Sequence, residues 1–180
     1  MDSGVKIDYG VVRAYEEIKE HHAGEVASDR LKLVMLRLSD DYRSIIVDDE
    51  STLRMKDVSN EDDVFKKLVS MFPPDHCRYA LYDCRYRTKE TDEEDLVFIT
   101  WCPEDGVPLK EKMLISTTVI TLKRKLKGGS FSLSIQNGQI KCGVHLTNGC
   151  FKSFPPRFKY LISQTLKVLS IKVFLFQKIV

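Results

Sequence analysis

Apolar residues recur along this chain in several rhythms, and each rhythm predicts a different element. Val11, Val12, Tyr15 and Ile18 return at three- and four-residue steps, opposite Arg13, Glu16, Glu17, Lys19 and Glu20. That spacing predicts an amphipathic helix from near Tyr9 to the polar His21–Gly24 region. Leu31 to Leu38, LKLVMLRL, alternates at Leu31, Leu33 and Met35 and reads as a strand. Ser39-Asp40-Asp41 turns the chain, and Tyr42 to Val47 returns as its hairpin partner. Asp48 to Asn60 is polar with few apolar anchors. A short helix is expected from Asp62 to Met71, where Val64, Phe65, Leu68, Val69 and Phe72 share one side and Pro73-Pro74 ends it.

The centre is more apolar. Cys77 to Arg87, CRYALYDCRYR, reads as a strand through its aromatics, and Lys89 to Asp95 as a charged turn. Leu96 to Trp101, LVFITW, is a continuous apolar run, the pattern of a strand buried on both faces in mid-sheet. After a turn at Pro103 to Pro108, LKEKMLISTTVITLKRKLKG predicts a long helix in which Leu109, Met113, Ile120 and Leu126 face the core. Gly128-Gly129 stops it. Its Ser116–Thr121 stretch is rich in β-branched residues, so tertiary packing must hold that part helical. Helix, hairpin, helix, two central strands and a further helix describe a sheet with helices on its faces, an α/β (α+β) domain.

Beyond Gly129 the pattern changes. Phe131 to Leu146 predicts two short strands around Asn137-Gly138. Phe158 to Leu169 predicts a helix, and Ile171 to Phe176 a strand. Charge marks the change more sharply. Residues 1–111 carry all 26 Asp and Glu against 16 Lys and Arg, whereas residues 112–180 carry 12 Lys and Arg and no carboxylate. The overall formal charge of +2 conceals this division. Residues 1–129 are therefore taken as the domain core, and residues 130–180 as a basic, acid-free C-terminal segment partly integrated with it. Its run from Val168 to Val180 is interrupted by Lys172, Gln177 and Lys178, too short and too charged for a transmembrane segment.

Catalytic constellations are thin. There is no HExxH, GxSxG, Walker A or dinucleotide fingerprint, and Gly128-Gly129 follows its basic run instead of opening a helix. His21 and His22 have no second ligand group at metal spacing, and the acidic clusters lack the central glycine of a calcium loop. No enzyme, metal or cofactor is expected. Five cysteines form no CxxC pair, and Cys77, Cys84 and Cys102 border apolar strand positions as small buried hydrophobes. Their odd number, and a first stretch MDSGVKIDYGVVRAY without an apolar run, fit a reducing intracellular compartment.

The cations are more informative. Lys110 and Lys112 bracket Glu111 at the first turn of the long helix, where the helix dipole disfavours positive charge. An acidic partner or anionic lipid explains them, or Glu111 and nearby acids offset them. Lys123-Arg124-Lys125 at the other end are favourably placed. Residues 109–129 contain no aromatic side chain, so nucleic acid is not the expected partner. Asp2-Ser3-Gly4-Val5 precedes the first helix and is expected to be extended and accessible, with a serine able to take phosphate.

Several longer motifs then stand in order: SGV (Ser3–Val5) ahead of a helix, CRYALYD (Cys77–Asp83), TKE (Thr88–Glu90), EEDLVFITWCPE (Glu93–Glu104) and PLKEKM (Pro108–Met113). Over residues 1 to about 127 the chain resembles the ADF/cofilin family of small actin-binding proteins. The resemblance implies an ADF-homology fold, a central mixed sheet of about five strands flanked by helices on both faces. It also implies binding to actin monomers and filament sides, with severing and depolymerisation as the outcome, in the cytoplasm and cytoskeleton. By the same resemblance, Ser3 is the site of inhibitory phosphorylation by a serine kinase, reversed by a phosphatase. Gly4 and Val5 belong to the actin-contacting arm, and Lys110, Lys112 and Met113 to the actin-contacting helix. Lys110 and Lys112 also belong to a surface for acidic phosphoinositides.

Two departures qualify it. Asp92-Glu93 stands where many animal members have a lysine pair, which leaves Arg85 and Arg87 as candidate filament-side contacts. Val119-Ile120 replaces a Lys-Asp pair in the long helix. The family's last strand and C-terminal helix have no counterpart in sequence after Gly129. The competing reading is an actin-monomer or phosphoinositide-binding domain whose severing is lost through that divergent C-terminus.

Overall fold

The computed structural model describes residues 4–20, 26–60, 64–87, 92–103, 105–126, 131–136 and 139–143. In chain order the elements are β1 (Lys6–Ile7), α1 (Tyr9–Lys19), β2 (Leu31–Leu38), β3 (Ser44–Val47), β4 (Leu53–Arg54), α2 (Val64–Ser70), β5 (Arg78–Arg87), β6 (Asp92–Cys102), α3 (Leu109–Lys125), β7 (Phe131–Gln136) and β8 (Gln139–Gly143). Seven strands run in the order β1-β3-β2-β5-β6-β7-β8, and β4 adds to β2. β1 is parallel to β3 and β7 to β6, while the other pairs are antiparallel, so the sheet is mixed.

The period-2 alternation of the strands divides the core into two layers. Val34, Leu36 and Leu38 of β2, Tyr79 and Leu81 of β5 and Phe98 and Cys102 of β6 pack with Val11, Tyr15 and Ile18 of α1 and Ile115, Leu122 and Leu126 at α3. The alternate positions Leu33, Met35, Ala80, Val97, Ile99 and Trp101 are also buried. On this second face the Trp101 ring stacks on Phe72, just beyond α2, at 5.2 Å, and Trp101 Nε1 donates to the Pro73 carbonyl at 2.8 Å. Helices thus lie on both faces, and the expected α+β layering is present.

Local chemistry accounts for the helix ends. Asp8 caps α1, its Oδ1 accepting from the Gly10 N–H at 2.8 Å. In α3 the hydroxyls of Ser116, Thr117 and Thr118 each donate to the carbonyl four residues earlier, at 2.8, 3.0 and 2.6 Å. Those bonds give the β-branched turn polar partners inside the helix, where propensity alone disfavours it.

One expectation is corrected. Leu109, Met113 and Ile120 do not face the core: they are 73%, 60% and 63% exposed, and of the expected set only Leu126 is buried. The buried stripe of α3 is Glu111, Ile115, Thr118 and Leu122. Polar partners on the sheet select that phase, as the site geometry below makes clear. The two strands expected around Asn137-Gly138 are present, and they belong to the same sheet, so the chain after Gly129 adds strands where no family counterpart was read. β7 pairs in parallel with β6 from Val97↔Phe131 to Cys102↔Gln136, and β8 returns antiparallel to it. FSLSIQ keeps the period-2 alternation that a sheet requires. The expected helix at 158–169 and strand at 171–176 lie outside the described residues.

Candidate functional site

Three segments meet beside the β2–β3 turn: the N-terminal arm, the turn itself and the first turn of α3. Ser39 organises the turn. Its carbonyl accepts from the Tyr42 N–H at 2.8 Å, its hydroxyl donates to Asp41 at 2.6 Å, and its Oγ accepts from the Ser44 N–H at 3.0 Å. The Ser39 hydroxyl, and after it the Arg43 N–H, hold the Asp41 carboxyl below the usual carboxylate range. The resulting fold of the turn places Tyr42 at φ 60°, the left-handed region that bulky residues rarely enter.

The arm docks against this turn. Lys6 N–H donates to the Arg43 carbonyl at 2.8 Å, and β1 registers Lys6 against Ser44. Gly4 is exposed at φ 68°, with nothing within 4 Å of where a Cβ would sit. Val5 is not accessible as expected: it is only 8% exposed and belongs to the same core cluster as Ile115 and Leu122. Its apolar side chain gains more from that layer than from solvent, so burial begins one residue earlier than an extended arm implies. Ser3 lies outside the described residues.

Lys110 reaches the turn from the other side, its Nζ 5.0 Å from the centre of the Tyr42 ring. Between the two lysines, Glu111 points inward. It is 4% exposed, its Oε1 accepts from the Cys77 N–H at 2.6 Å, and its Oε2 lies 3.3 Å from His76 Nδ1. This bond ties the start of α3 to the start of β5. One turn further, the buried Tyr79 hydroxyl donates to the Ile115 carbonyl at 2.7 Å and lies 2.7 Å from Thr118 Oγ1. Burial pushes the Tyr79 phenol upward, so it stays a donor. With Glu111, Ile115 and Thr118 fixed to the sheet, Lys110 and Met113 are left exposed on the outer side, with Lys112 half-buried between them.

Glu111 is the residue whose structural role spacing alone did not assign. An offset for its lysine neighbours was one reading, yet the carboxylate is a buried anchor. Glu111, Ile115, Thr118 and Leu122 do recur at steps of four, three and four, but that stripe competes with the apolar Leu109, Met113 and Ile120. Arg85 and Arg87 are not part of this constellation. The β5–β6 register sets them opposite Glu94 and Asp92, at the end of the ladder away from Cys77. At about 3.3 Å per residue, that is roughly 25–35 Å along the strand from Cys77, where Glu111 holds the start of α3. Among the described residues no cluster of three or more His, Cys, Asp or Glu is arranged to hold a metal, and no helix is long and apolar enough to cross a membrane.

A family model described as cofilin/tropomyosin-type actin-binding protein matches residues 4–139. The chain belongs to this family. The match runs past position 127, where the sequence resemblance faded, and takes in all of β7. Solved structures agree with this cofilin-type assignment. Cofilin from Streptomyces griseoflavus is 25% identical, with 73% of this chain and 85% of that one covered at a TM-score of 0.56. Actin depolymerization factor 2 from Plasmodium berghei is also 25% identical, with 75% and 87% covered at a TM-score of 0.61. Coactosin from Entamoeba histolytica shares the fold at 14% identity, covering 92% and 96% at a TM-score of 0.59. In this cofilin-type domain the exposed edge of α3 is thus a face on a rigid frame, with the inner side bonded to the sheet.

Proposed function

We propose that this cofilin-type chain binds actin monomers and filament sides through the start of α3 and the adjoining arm, and that it promotes severing and depolymerisation in the cytoplasmic cytoskeleton. The observation that carries the reading is the outward presentation of Leu109, Lys110 and Met113 from a helix turn whose Glu111 is bonded to Cys77, the residue before β5. Apolar side chains flanked by cations suit an actin cleft with an acidic rim, the apolar atoms supplying burial and the charges orientation. Lys110 and Lys112 are equally suited to the headgroups of acidic phosphoinositides, which then compete with actin for the same face. Arg85 and Arg87 form a separate candidate contact for the filament side.

The test is Lys110→Ala with Lys112→Ala in filament co-sedimentation and in a severing assay, with melting as the control for folding. Affinity for actin should fall about tenfold, roughly 1.4 kcal/mol, with the melting temperature preserved. Unchanged affinity removes this face from the contact. Monomer binding by the wild-type chain without any filament effect replaces the proposal with the monomer- or lipid-binding reading.

Ser3 is proposed as the switch, phosphorylated by a serine kinase and restored by a phosphatase. It directly precedes exposed Gly4. A phosphate carries about −1.5 to −2 charge, enough to repel an acidic partner from the arm. Phosphorylated chain compared with unmodified chain should show weaker actin binding at equal thermal stability. Equal affinities take Ser3 out of the regulatory role.

A further inference from the structure

The β5–β6 ladder brings two cysteines together next to the anchor of α3. Arg78 pairs with Trp101 in antiparallel register, so Cys77 and Cys102 are the next opposed positions. Their sulfurs are 3.3 Å apart, and both thiols are free. Directly opposed antiparallel residues have Cα atoms about 4.5–5.5 Å apart, inside the roughly 4.4–6.8 Å range that a disulfide requires. Bond formation therefore needs the sulfurs to close to about 2.05 Å without a shift of strand register. Two adjacent thiols at a ladder end differ from an ordinary buried cysteine, whose neighbours cannot react with it.

We propose that Cys77 and Cys102 are a modification site, joined by peroxide into a reversible disulfide across β5 and β6. Cys102 is 7% exposed and Cys77 1%, which makes Cys102 the sulfur that peroxide reaches first. Its thiolate attacks one peroxide oxygen. The O–O bond breaks, Cys102 becomes a sulfenic acid, and the departing hydroxide leaves as water with the proton Cys102 gave up. The Cys77 sulfur then attacks the Cys102 sulfur. The S–S bond forms, the S–O bond breaks, and the second hydroxide leaves as water with the Cys77 proton. Two thiols lose two electrons and hydrogen peroxide gains them. Burial, and next the adjoining Cys102 sulfur, push the Cys77 thiol upward, so its thiolate is scarce and the resolving step is slow.

The position gives the bond a consequence. Cys77 N–H is the group that Glu111 accepts from, and Cys102 opens the connection that leads into α3. A covalent clamp there tightens the junction from which α3 starts.

The test uses the full chain, reduced, exposed to hydrogen peroxide, quenched in acid, unfolded, alkylated and digested. The expected product is a linked peptide pair containing Cys77 and Cys102, with the loss of two hydrogens, reversed by dithiothreitol. Cys84→Ser should retain the linkage and Cys102→Ser should lose it. Should Cys102→Ser fail to fold, the wild-type peptide map decides alone. Alkylation of both Cys77 and Cys102 after treatment, linkage of either to another cysteine, or over-oxidation of Cys102 without a crosslink overturns the proposal. None of these readouts involves actin, so they stand or fall separately from the proposed function.

Discussion

The two sides of α3 are the reverse of what their chemistry suggests. The inner side carries a carboxylate and a threonine among its buried positions, Glu111, Ile115, Thr118 and Leu122, while the outer side carries Leu109, Met113 and Ile120. Amphipathic patterning normally places the apolar stripe inward. Here hydrogen bonding chooses the phase. A buried Cys77 N–H and the buried Tyr79 hydroxyl both require polar partners, and Glu111 and the Ile115–Thr118 turn provide them. Turning the helix to bury Leu109, Met113 and Ile120 would leave these groups unsatisfied, at a cost of about 1–3 kcal/mol each. Exposed apolar side chains on a surface are comparatively cheap, and they become useful where a partner covers them.

The largest effect should come from the inner stripe. Ile115 is fully buried, so Ile115→Ala is expected to cost about 3 kcal/mol through lost burial and the cavity left behind. Met113→Ala, on the outer side, should stay within about 0.5 kcal/mol. Urea unfolding of both variants measures the contrast directly. Equal losses would mean that α3 does not sit in this phase.

Glu111 sharpens the same comparison. Glu111→Ala leaves the Cys77 N–H without its acceptor and should destabilise by about 2 kcal/mol. Glu111→Gln keeps an acceptor oxygen at the same reach and should lose clearly less. If the two substitutions unfold at the same denaturant concentration, the carboxylate is not held by that N–H, and the polar anchor fails as the reason for the phase.

Much of the fold was legible because its signals are local. The spacing of Val11, Tyr15 and Ile18 located α1, alternation located β2, and the run from Leu96 to Trp101 located a strand buried on both faces. The Asn137-Gly138 signal correctly separated β7 from β8, although those two residues are outside the described set. What was not legible depends on pairing at a distance. The α3 sequence contains two stripes with helical spacing, and nothing within the helix decides between them; Tyr79 and Cys77, more than thirty residues earlier, do. β7 was legible as a strand but not as the parallel partner of β6, since such a partner demands alternation and register but tolerates almost any residues that supply them. At the site, Lys110, Lys112 and Met113 were nameable from motif order. The Tyr42 ring beneath Lys110 was not, because only the folded turn brings position 42 to position 110.

That contact gives the smallest and most specific expectation on the outer side. Tyr42 holds a left-handed backbone conformation, which costs a non-glycine residue of order 1 kcal/mol, while its half-buried ring lies 5.0 Å from Lys110 Nζ. A ring in that position restricts where the lysine head can go, by an attraction of about 0.5–1 kcal/mol at an exposed site. Tyr42→Phe keeps the ring face and should leave both stability and actin affinity within about twofold of wild type, or about 0.4 kcal/mol. Tyr42→Leu keeps bulk but removes the ring, and should weaken actin binding about threefold, some 0.6 kcal/mol. The decisive readout needs no actin: protons on the Lys110 side chain should show an upfield ring-current shift in the wild-type and Phe chains, and lose it in the Leu chain. Identical Lys110 resonances in all three chains would show that the ring does not hold this lysine, and the outer side of α3 would then owe its geometry to the inner-side bonds of Glu111, Ile115 and Thr118.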